Sequence, residues 1–239
     1  TASGHAPSTP PAMDQGARVL VVDGPASRPQ LSPTVGAGRT KIRFDLQPGE
    51  RGEVAIVIES FDSGEAADLR RGRLAGSRDP QRFARWLQEQ FPGAQLTSET
   101  TIQLVPSRDP TIVEIEGTIS KSALASGGGI RAYPGRVDWS ARMVPGGSRH
   151  GPMNVAVRPD LEWTLSVDLG RPPKNSPTGV DLETPFGTLQ VTTESHSEGY
   201  EISGLLKFRP GIVAAQDVGD LRDFLVTVER HLGRRLETP

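Results

Sequence analysis

The chain has 239 residues, and its 27 Lys and Arg against 29 Asp and Glu give a formal net charge of −2. This near-neutral balance argues against general nucleic-acid binding, because contact with phosphates needs a surplus of positive charge. The chain contains no cysteine, which excludes a disulfide, a thiolate zinc site and a cysteine nucleophile. Its 27 glycines and 21 prolines interrupt the sequence often, and no apolar stretch reaches the roughly 18 residues that a membrane-spanning helix needs.

Residues 1–38 are predicted to form a flexible leader and linker with one short strand. The first fourteen residues are rich in Ala, Pro, Ser and Thr and have no apolar period that could anchor them to a core. An apolar run at 19–22 predicts the strand, and the Pro, Ser and Gly residues that follow it predict a loop up to Gly38. The chain begins at Thr1 without the pattern of a signal peptide, so we expect a processed chain or an excised piece.

Residues 39–150 are predicted to form a β module with two helices. Apolar and polar residues alternate over 40–46 and again over 53–59, which is typical of half-buried strands. The Pro and Gly residues at 47–52 between them predict that the two strands form a hairpin. Period-two patterns over 102–104, 113–119 and 137–143 predict three further strands.

Two helices are predicted between the hairpin and these later strands. Helix-forming residues fill 63–74. A second helix is predicted to begin at Asp79-Pro80, an N-cap followed by proline at the first helical position, and to end at Pro92-Gly93. Its apolar side chains recur at helical spacing and include Trp86, which we assign to the core rather than to a ligand site.

Residues 151–239 are predicted to form a second β module that ends in a helix. The Gly- and Pro-rich stretch at 145–152 is the predicted boundary between the modules. Period counting indicates about five strands before residue 209, and an amphipathic pattern over 218–232 predicts the closing helix. The sequence therefore predicts a mainly β (α+β) chain of two consecutive antiparallel β-sandwich-like modules with a few amphipathic helices.

Five segments follow an order found in a known family. They are 19–24 (Val-Leu-Val-Val-Asp-Gly), 79–93 (Asp-Pro-Gln-Arg-Phe-Ala-Arg-Trp-Leu-Gln-Glu-Gln-Phe-Pro-Gly), 183–189 (Glu-Thr-Pro-Phe-Gly-Thr-Leu), 201–208 (Glu-Ile-Ser-Gly-Leu-Leu-Lys-Phe) and 217–225 (Asp-Val-Gly-Asp-Leu-Arg-Asp-Phe-Leu). Together they resemble the C-terminal region of bacterial transglutaminase-like proteins, in which β-rich domains of unknown function flank a papain-like core. The resemblance covers about residues 18–239, and its motifs consist mostly of turn and core residues.

The resemblance does not include the catalytic core. Such a core uses a cysteine nucleophile, a histidine base and an aspartate that orients the histidine, and this chain has no cysteine. The resemblance thus implies a non-catalytic region without a cofactor, which binds the transglutaminase-like core of the same parent protein or another protein. It also implies export, and we expect a periplasmic location because a cysteine-free chain tolerates an oxidising compartment.

An arginine-rich segment is the predicted partner-binding site. Six of the residues between 70 and 85 are arginines, and the candidates for contact with a partner are Arg70, Arg71, Arg82 and Arg85. Such a cluster could bind an acidic face of another domain. The alternative interpretation is the solvated side of two helices, since nearby carboxylates such as Asp62 and Asp68 dilute its charge.

Other candidate residues have structural interpretations. The four histidines lie in separate segments without a metal-ligand spacing: His5, His150, His196 and His231. Asp217 and Asp220 belong to the first turn of the predicted last helix, where negative charge stabilises the helix. Glu114 and Glu116 alternate with apolar residues on a strand, as solvent-facing residues do. No catalytic, cofactor or metal site is predicted.

Two functions from different classes remain open at this point. The preferred one is an accessory or interaction region of a transglutaminase-like bacterial protein. The alternative is an independent β-sandwich module that binds a carbohydrate or an exported protein. A hydrolase is disfavoured because the sequence contains no Gly-x-Ser-x-Gly nucleophile elbow.

Overall fold

The protein is seen in a computed structural model that describes residues 18–21, 28–31, 38–50, 52–75, 80–97, 101–104, 111–126, 129–135, 137–144, 151–156, 158–170 and 178–236. Within these residues there are fifteen strands and five short α-helices, so the prediction of a mainly β chain with a few helices is confirmed. The sandwich-like form is not confirmed, because most of the strands lie in one large mixed sheet. Of the predicted leader and linker at 1–38, residues 1–17, 22–27 and 32–37 lie outside the described residues.

The N-terminal part of the chain supplies eight strands and four helices. Their bounds are β1 Arg18–Val21, β2 Arg28–Leu31, β3 Arg39–Pro48, β4 Val54–Ser63, α1 Glu65–Ala75, α2 Pro80–Gln90, β5 Gln95–Leu96, β6 Thr101–Leu104, β7 Thr111–Ile119, α3 Lys121–Ser126, β8 Ile130–Arg131 and α4 Trp139–Met143.

The C-terminal part supplies seven strands and the longest helix of the described residues. Their bounds are β9 Met153–Val155, β10 Asp160–Asp168, β11 Val180–Thr184, β12 Gly187–Ser195, β13 Gly199–Phe208, β14 Gly211–Val213, a 3₁₀ turn Ala215–Asp217, α5 Val218–Leu232 and β15 Arg235–Leu236. The two predicted helices of the first half and the predicted closing helix correspond to α1, α2 and α5, and all three are confirmed.

The large sheet has the strand order β11-β12-β13-β10-β3-β4-β7-β5, with β6 also paired to β7. All of its pairs are antiparallel except β10 with β3, which is parallel and sets Trp163 beside Ile42 and Leu165 beside Phe44. Strands from residues 39–150 and from residues 151–239 therefore share one sheet. The division into two modules at that boundary stays a prediction. Two modules divided there share this one sheet.

The predicted hairpin of β3 and β4 is confirmed over its full length. Ten residue pairs join the strands, from Arg39 opposite Ser63 to Pro48 opposite Val54. The connecting turn is closed by the Gly49 amide, which donates to the Glu53 carbonyl at 2.8 Å, and Gly52 supplies the positive φ of 79°. The period-two pattern sends Phe44 into the core, where it is fully buried.

An aromatic cluster forms the centre of the core. Phe44 packs edge-on against Tyr133 at 6.2 Å between ring centroids, and Tyr133 packs in the same way against Trp163 at 5.3 Å. The Trp163 indole donates to the Ala132 carbonyl at 3.2 Å. Gly204 lies opposite Trp163 in β13, and a Cβ there would lie 2.0 Å from the indole, so glycine is needed for the ring to cover the neighbouring strand.

The strand predicted over 137–143 is wrong, because Trp139–Met143 forms the short helix α4. The Glu229 carboxylate of α5 accepts hydrogen bonds from the Ser140 amide at 2.5 Å and from the Ser140 hydroxyl at 2.7 Å. The Trp139 ring packs edge-on against Phe208. These tertiary contacts outweigh the local period-two pattern.

The loop predicted between the first strand and Gly38 is wrong over Arg28–Leu31, which forms β2. This strand pairs antiparallel with β1, and Arg18 lies opposite Leu31. A proline at position 29 argues against a central strand, but β2 pairs only with β1 among the described strands. Proline is tolerated in such an edge strand because one side of it needs no ladder hydrogen bonds.

Candidate functional site

Two of the four candidate arginines, Arg70 and Arg71, point toward the sheet rather than away from it. The Arg70 guanidinium donates to an Asp62 carboxylate oxygen at 2.8 Å and to the Ser60 hydroxyl at 3.2 Å. Arg71 forms an ion pair with Asp68 on the same helix and a hydrogen bond with Thr111 at 3.4 Å. Both side chains therefore link α1 to strands β4 and β7.

Asp62 is the centre of this polar cluster. Asp62 is only 2% exposed. Besides the hydrogen bond from Arg70, its carboxylate accepts one from Thr40 at 2.6 Å and one from Ser60 at 3.4 Å. A buried carboxylate is stable only when its charge is compensated in this way. Arg70 therefore has a structural role, which is to compensate the charge of the buried Asp62 carboxylate.

The other two candidate arginines belong to α2. Arg85 is exposed and donates to the Gln81 carbonyl one helical turn earlier. The side chain of Arg82 lies outside the described residues. The structure thus places Arg70 and Arg71 in half-buried polar contacts with the strands and Arg85 at an exposed position of α2. A partner-binding role for the four arginines stays a prediction.

A concave groove lies at the other end of the large sheet. It lies between the β11–β12 turn and α5, and its volume is about 540 Å³. Apolar side chains form its floor, and three carboxylates and two threonines complete the lining: Leu182, Pro185, Phe186 and Phe224, with Asp217, Asp220, Asp223, Thr184 and Thr227. We define these nine residues as the acidic groove.

Local sequence features shape the β11–β12 turn. The Phe186 amide donates to the Thr184 hydroxyl at 3.2 Å, and the same hydroxyl donates to the Gly187 carbonyl at 3.2 Å. A Cβ at Gly187 would lie 2.2 Å from the Lys207 carbonyl oxygen and 3.1 Å from the Phe224 ring. Glycine at this position therefore lets α5 approach the hairpin closely and sets the depth of the groove.

The three aspartates of the acidic groove recur at steps of three residues, so they lie on one side of α5. Asp220 and Asp223 are exposed and Asp217 is half-buried. Among the described residues, none of these three carboxylates has a hydrogen bond or an ion pair with another side chain. Arg209 lies at one end of the groove, where it pairs with Glu183 at 2.6 Å and donates to the Thr184 carbonyl. The rim of the groove is therefore negative.

The prediction from the sequence covered only part of this groove. It assigned Asp217 and Asp220 to the first turn of the last helix, which is confirmed for Asp220 and wrong for Asp217, because Asp217 ends the 3₁₀ turn directly before Val218, the first residue of α5. It did not recognise Asp223 or Phe186 as companions of that pair. The i, i+3 repetition of aspartates was the available signal, but their position beside the hairpin depends on long-range packing.

The remaining candidates do not converge on a site. His196 is exposed in the β12–β13 connection and His231 is half-buried in the last turn of α5, while His5 and His150 lie outside the described residues. Glu114 and Glu116 both lie on β7, and neither side chain is buried. Across the described ranges, no group of three or more His, Asp or Glu side chains could hold a metal ion.

No family model, curated protein or solved structure matches the chain. The resemblance to transglutaminase-like proteins therefore stays a prediction from the sequence. Where the structure describes the chain, no helix is both long and apolar enough to cross a membrane.

Proposed function

We propose that this chain is a non-catalytic accessory region of a transglutaminase-like bacterial protein, and that its role is to bind a protein partner. The lack of cysteine supports the non-catalytic part, because a papain-like core needs a thiolate nucleophile. The resemblance of the five segments named above supports the assignment to a transglutaminase-like protein. The partner is the transglutaminase-like core of the same parent protein or another exported protein, in the periplasm.

The acidic groove is the observation that carries the binding role. It combines an apolar floor with a polar rim, the arrangement found at the centre and edge of protein interfaces. The groove is open along α5, so it fits a polypeptide segment better than an enclosed small molecule. Two of its walls, the turn at 185–186 and the start of α5, belong to segments that carry the resemblance.

The proposal is tested with the gene that encodes the chain. We expect the coding sequence upstream to specify a core with Cys, His and Asp in catalytic order, and we expect this core, expressed separately, to bind the chain in isothermal titration calorimetry. The chain alone is expected to show no transamidase activity, since it has no nucleophile for that reaction. Fractionation of cells that produce the parent protein should recover it from the periplasm.

Two outcomes would overturn the proposal. One is the absence of an encoded core, or a core that shows no heat of binding to the chain. The other is specific binding of the chain to a glycan array without binding to any core, which would support the independent binding module instead.

A further inference from the structure

The acidic groove borders an open sheet edge. β11 is the last strand of the large sheet and pairs only with β12 among the described strands. Leu182 and Thr184 alternate with the exposed residues Asp181 and Glu183 along β11, so they face the groove together. A polypeptide that pairs with this edge would extend the sheet beneath the outer side of α5.

The spacing of the rim charges fits alternate residues of such a strand. Asp217 ends the 3₁₀ turn and Asp223 lies in α5, six residues later, which is about 9 Å at the α-helical rise. Side chains on one face of a strand are about 7 Å apart, so two successive same-face residues span most of this length. An adjacent same-face residue would then reach the apolar floor at Phe186 and Phe224.

The charge of the rim indicates which side chains the added strand carries on this face. Among the described residues, three carboxylates and no cation line the groove, and Arg209, which donates to the Thr184 carbonyl, is already paired with Glu183. Acidic or uncharged side chains would leave this negative rim uncompensated, whereas Lys or Arg would be attracted to it. The occupant favoured by the groove is therefore both basic and apolar, in an extended conformation.

We propose that the acidic groove binds an extended polypeptide segment that pairs with β11 and presents, on one face, two basic residues at alternate positions with an apolar residue next to them. This inference rests on the proposed function and adds the chemistry of the partner. Strand addition of this kind draws affinity from main-chain hydrogen bonds and specificity from pockets for alternate side chains.

The probe is a short synthetic peptide in which Leu, Arg and Arg alternate with Thr. Fluorescence anisotropy with the full chain should show saturable binding that weakens as salt is raised. The same peptide with Glu in place of Arg is expected not to bind. Methylation of alternate backbone amides, which removes strand pairing without changing charge, is expected to abolish binding. Equal binding of the methylated peptide would overturn the strand-pairing geometry.

A double variant tests the location. Asp220→Asn with Asp223→Asn should weaken binding of the Arg peptide about fivefold, as expected for two partly exposed charge pairs. Thr227→Lys, which places a cation in the groove, is a second variant that should weaken binding without disturbing the first turn of α5. The matched control is Glu194→Gln with Glu201→Gln, which removes the same charge from the exposed cross-strand pair of β12 and β13. Equal affinities for the rim variants and the control would overturn the proposal.

The outcomes separate this inference from the proposed function. If a core binds the wild type and the rim variants equally well, the groove proposal fails while the accessory function stands. If the peptide binds as expected and no core binds, the accessory function fails while the groove proposal stands. Sedimentation compares the oligomeric state of the wild type with that of the rim variants. If the wild type self-associates and the rim variants are monomeric, a second copy occupies the groove and the peptide proposal is overturned.

Discussion

At the scale of single residues, the buried polar cluster around Asp62 shows why an arginine can be conspicuous in a sequence without being available to a partner. Asp62 lies under α1 and is compensated by Arg70, Thr40 and Ser60. Arg70 itself keeps about a quarter of its side chain exposed. Its position is therefore determined first by the carboxylate beneath it.

Arg70→Met is expected to reduce the free energy of unfolding by about 2 to 3 kcal/mol, because it leaves the buried Asp62 carboxylate without its cation. Adding Asp62→Asn to this variant should restore part of the loss. The matched control, Arg85→Met on α2, should change stability by less than about 0.5 kcal/mol. Urea unfolding measures all three, and equal losses for the two arginine variants would contradict the structural role of Arg70.

The two tyrosines of the chain, Tyr133 and Tyr200, are both buried. Burial raises the pKa of both phenols well above the usual value, and at Tyr133 the nearby Arg70 lowers the pKa while Asp62 raises it. Above a pH of about 10, the unfolded chain loses these protons and the folded chain keeps them. The unfolded state then binds fewer protons, so stability is complete below this pH and falls as the pH rises further.

We therefore expect tyrosinate absorbance to appear only when the protein unfolds at alkaline pH. Spectrophotometric titration followed in parallel with circular dichroism checks this. Tyr133→Phe should reduce the pH dependence of stability in the same range. A rise in absorbance near the ordinary pKa, with native circular dichroism, would contradict the burial of both rings.

At the scale of elements, α5 connects the acidic groove to the core. One side of the helix buries apolar residues such as Leu221, Phe224 and Leu225, while the aspartates of the other side form the groove rim. Phe224 packs against Phe208 at 6.5 Å between ring centroids and lies over Gly187. The same helix therefore carries both stability and the candidate binding surface.

Phe224→Ala is expected to cost about 3 to 5 kcal/mol of unfolding free energy, since it removes a buried ring and leaves a cavity above the hairpin. Val226→Ala, at a position on the same helix that is 36% exposed, is the matched control and should cost under about 1 kcal/mol. Chemical denaturation of both variants is the measurement. A loss below about 1 kcal/mol for Phe224→Ala would mean that α5 is not docked through this ring.

The elements that the sequence predicted correctly are those with a long local pattern. The hairpin of β3 and β4, the amphipathic α2 and the closing α5 each repeat their signal over ten or more residues. The strand predicted over 137–143 failed because α4 is held by Glu229, which lies about ninety residues away. The acidic groove could not be predicted for the same reason, because it forms only where the β11–β12 turn meets α5.

At the scale of the whole molecule, the parallel pair of β10 and β3 is the least predictable feature of the fold. Both strands show a plain period-two pattern that does not specify their neighbours. Their pairing joins residues far apart in sequence, and closing such a long connection costs chain entropy that only the completed sheet compensates. The two predicted modules meet at this pair.

We expect the whole chain to unfold in a single cooperative transition, because the parallel pair places buried residues of both predicted modules in one layer. Leu165 lies beside Phe44 and Trp163 beside Ile42, and all four side chains are buried, so neither half keeps its core when the other opens. Differential scanning calorimetry should give equal calorimetric and van't Hoff enthalpies. A fragment of residues 151–239 should remain unfolded by circular dichroism, since β10 lacks its neighbour β3. Two separate transitions, or a fragment that folds by itself, would contradict this prediction and support two independent modules.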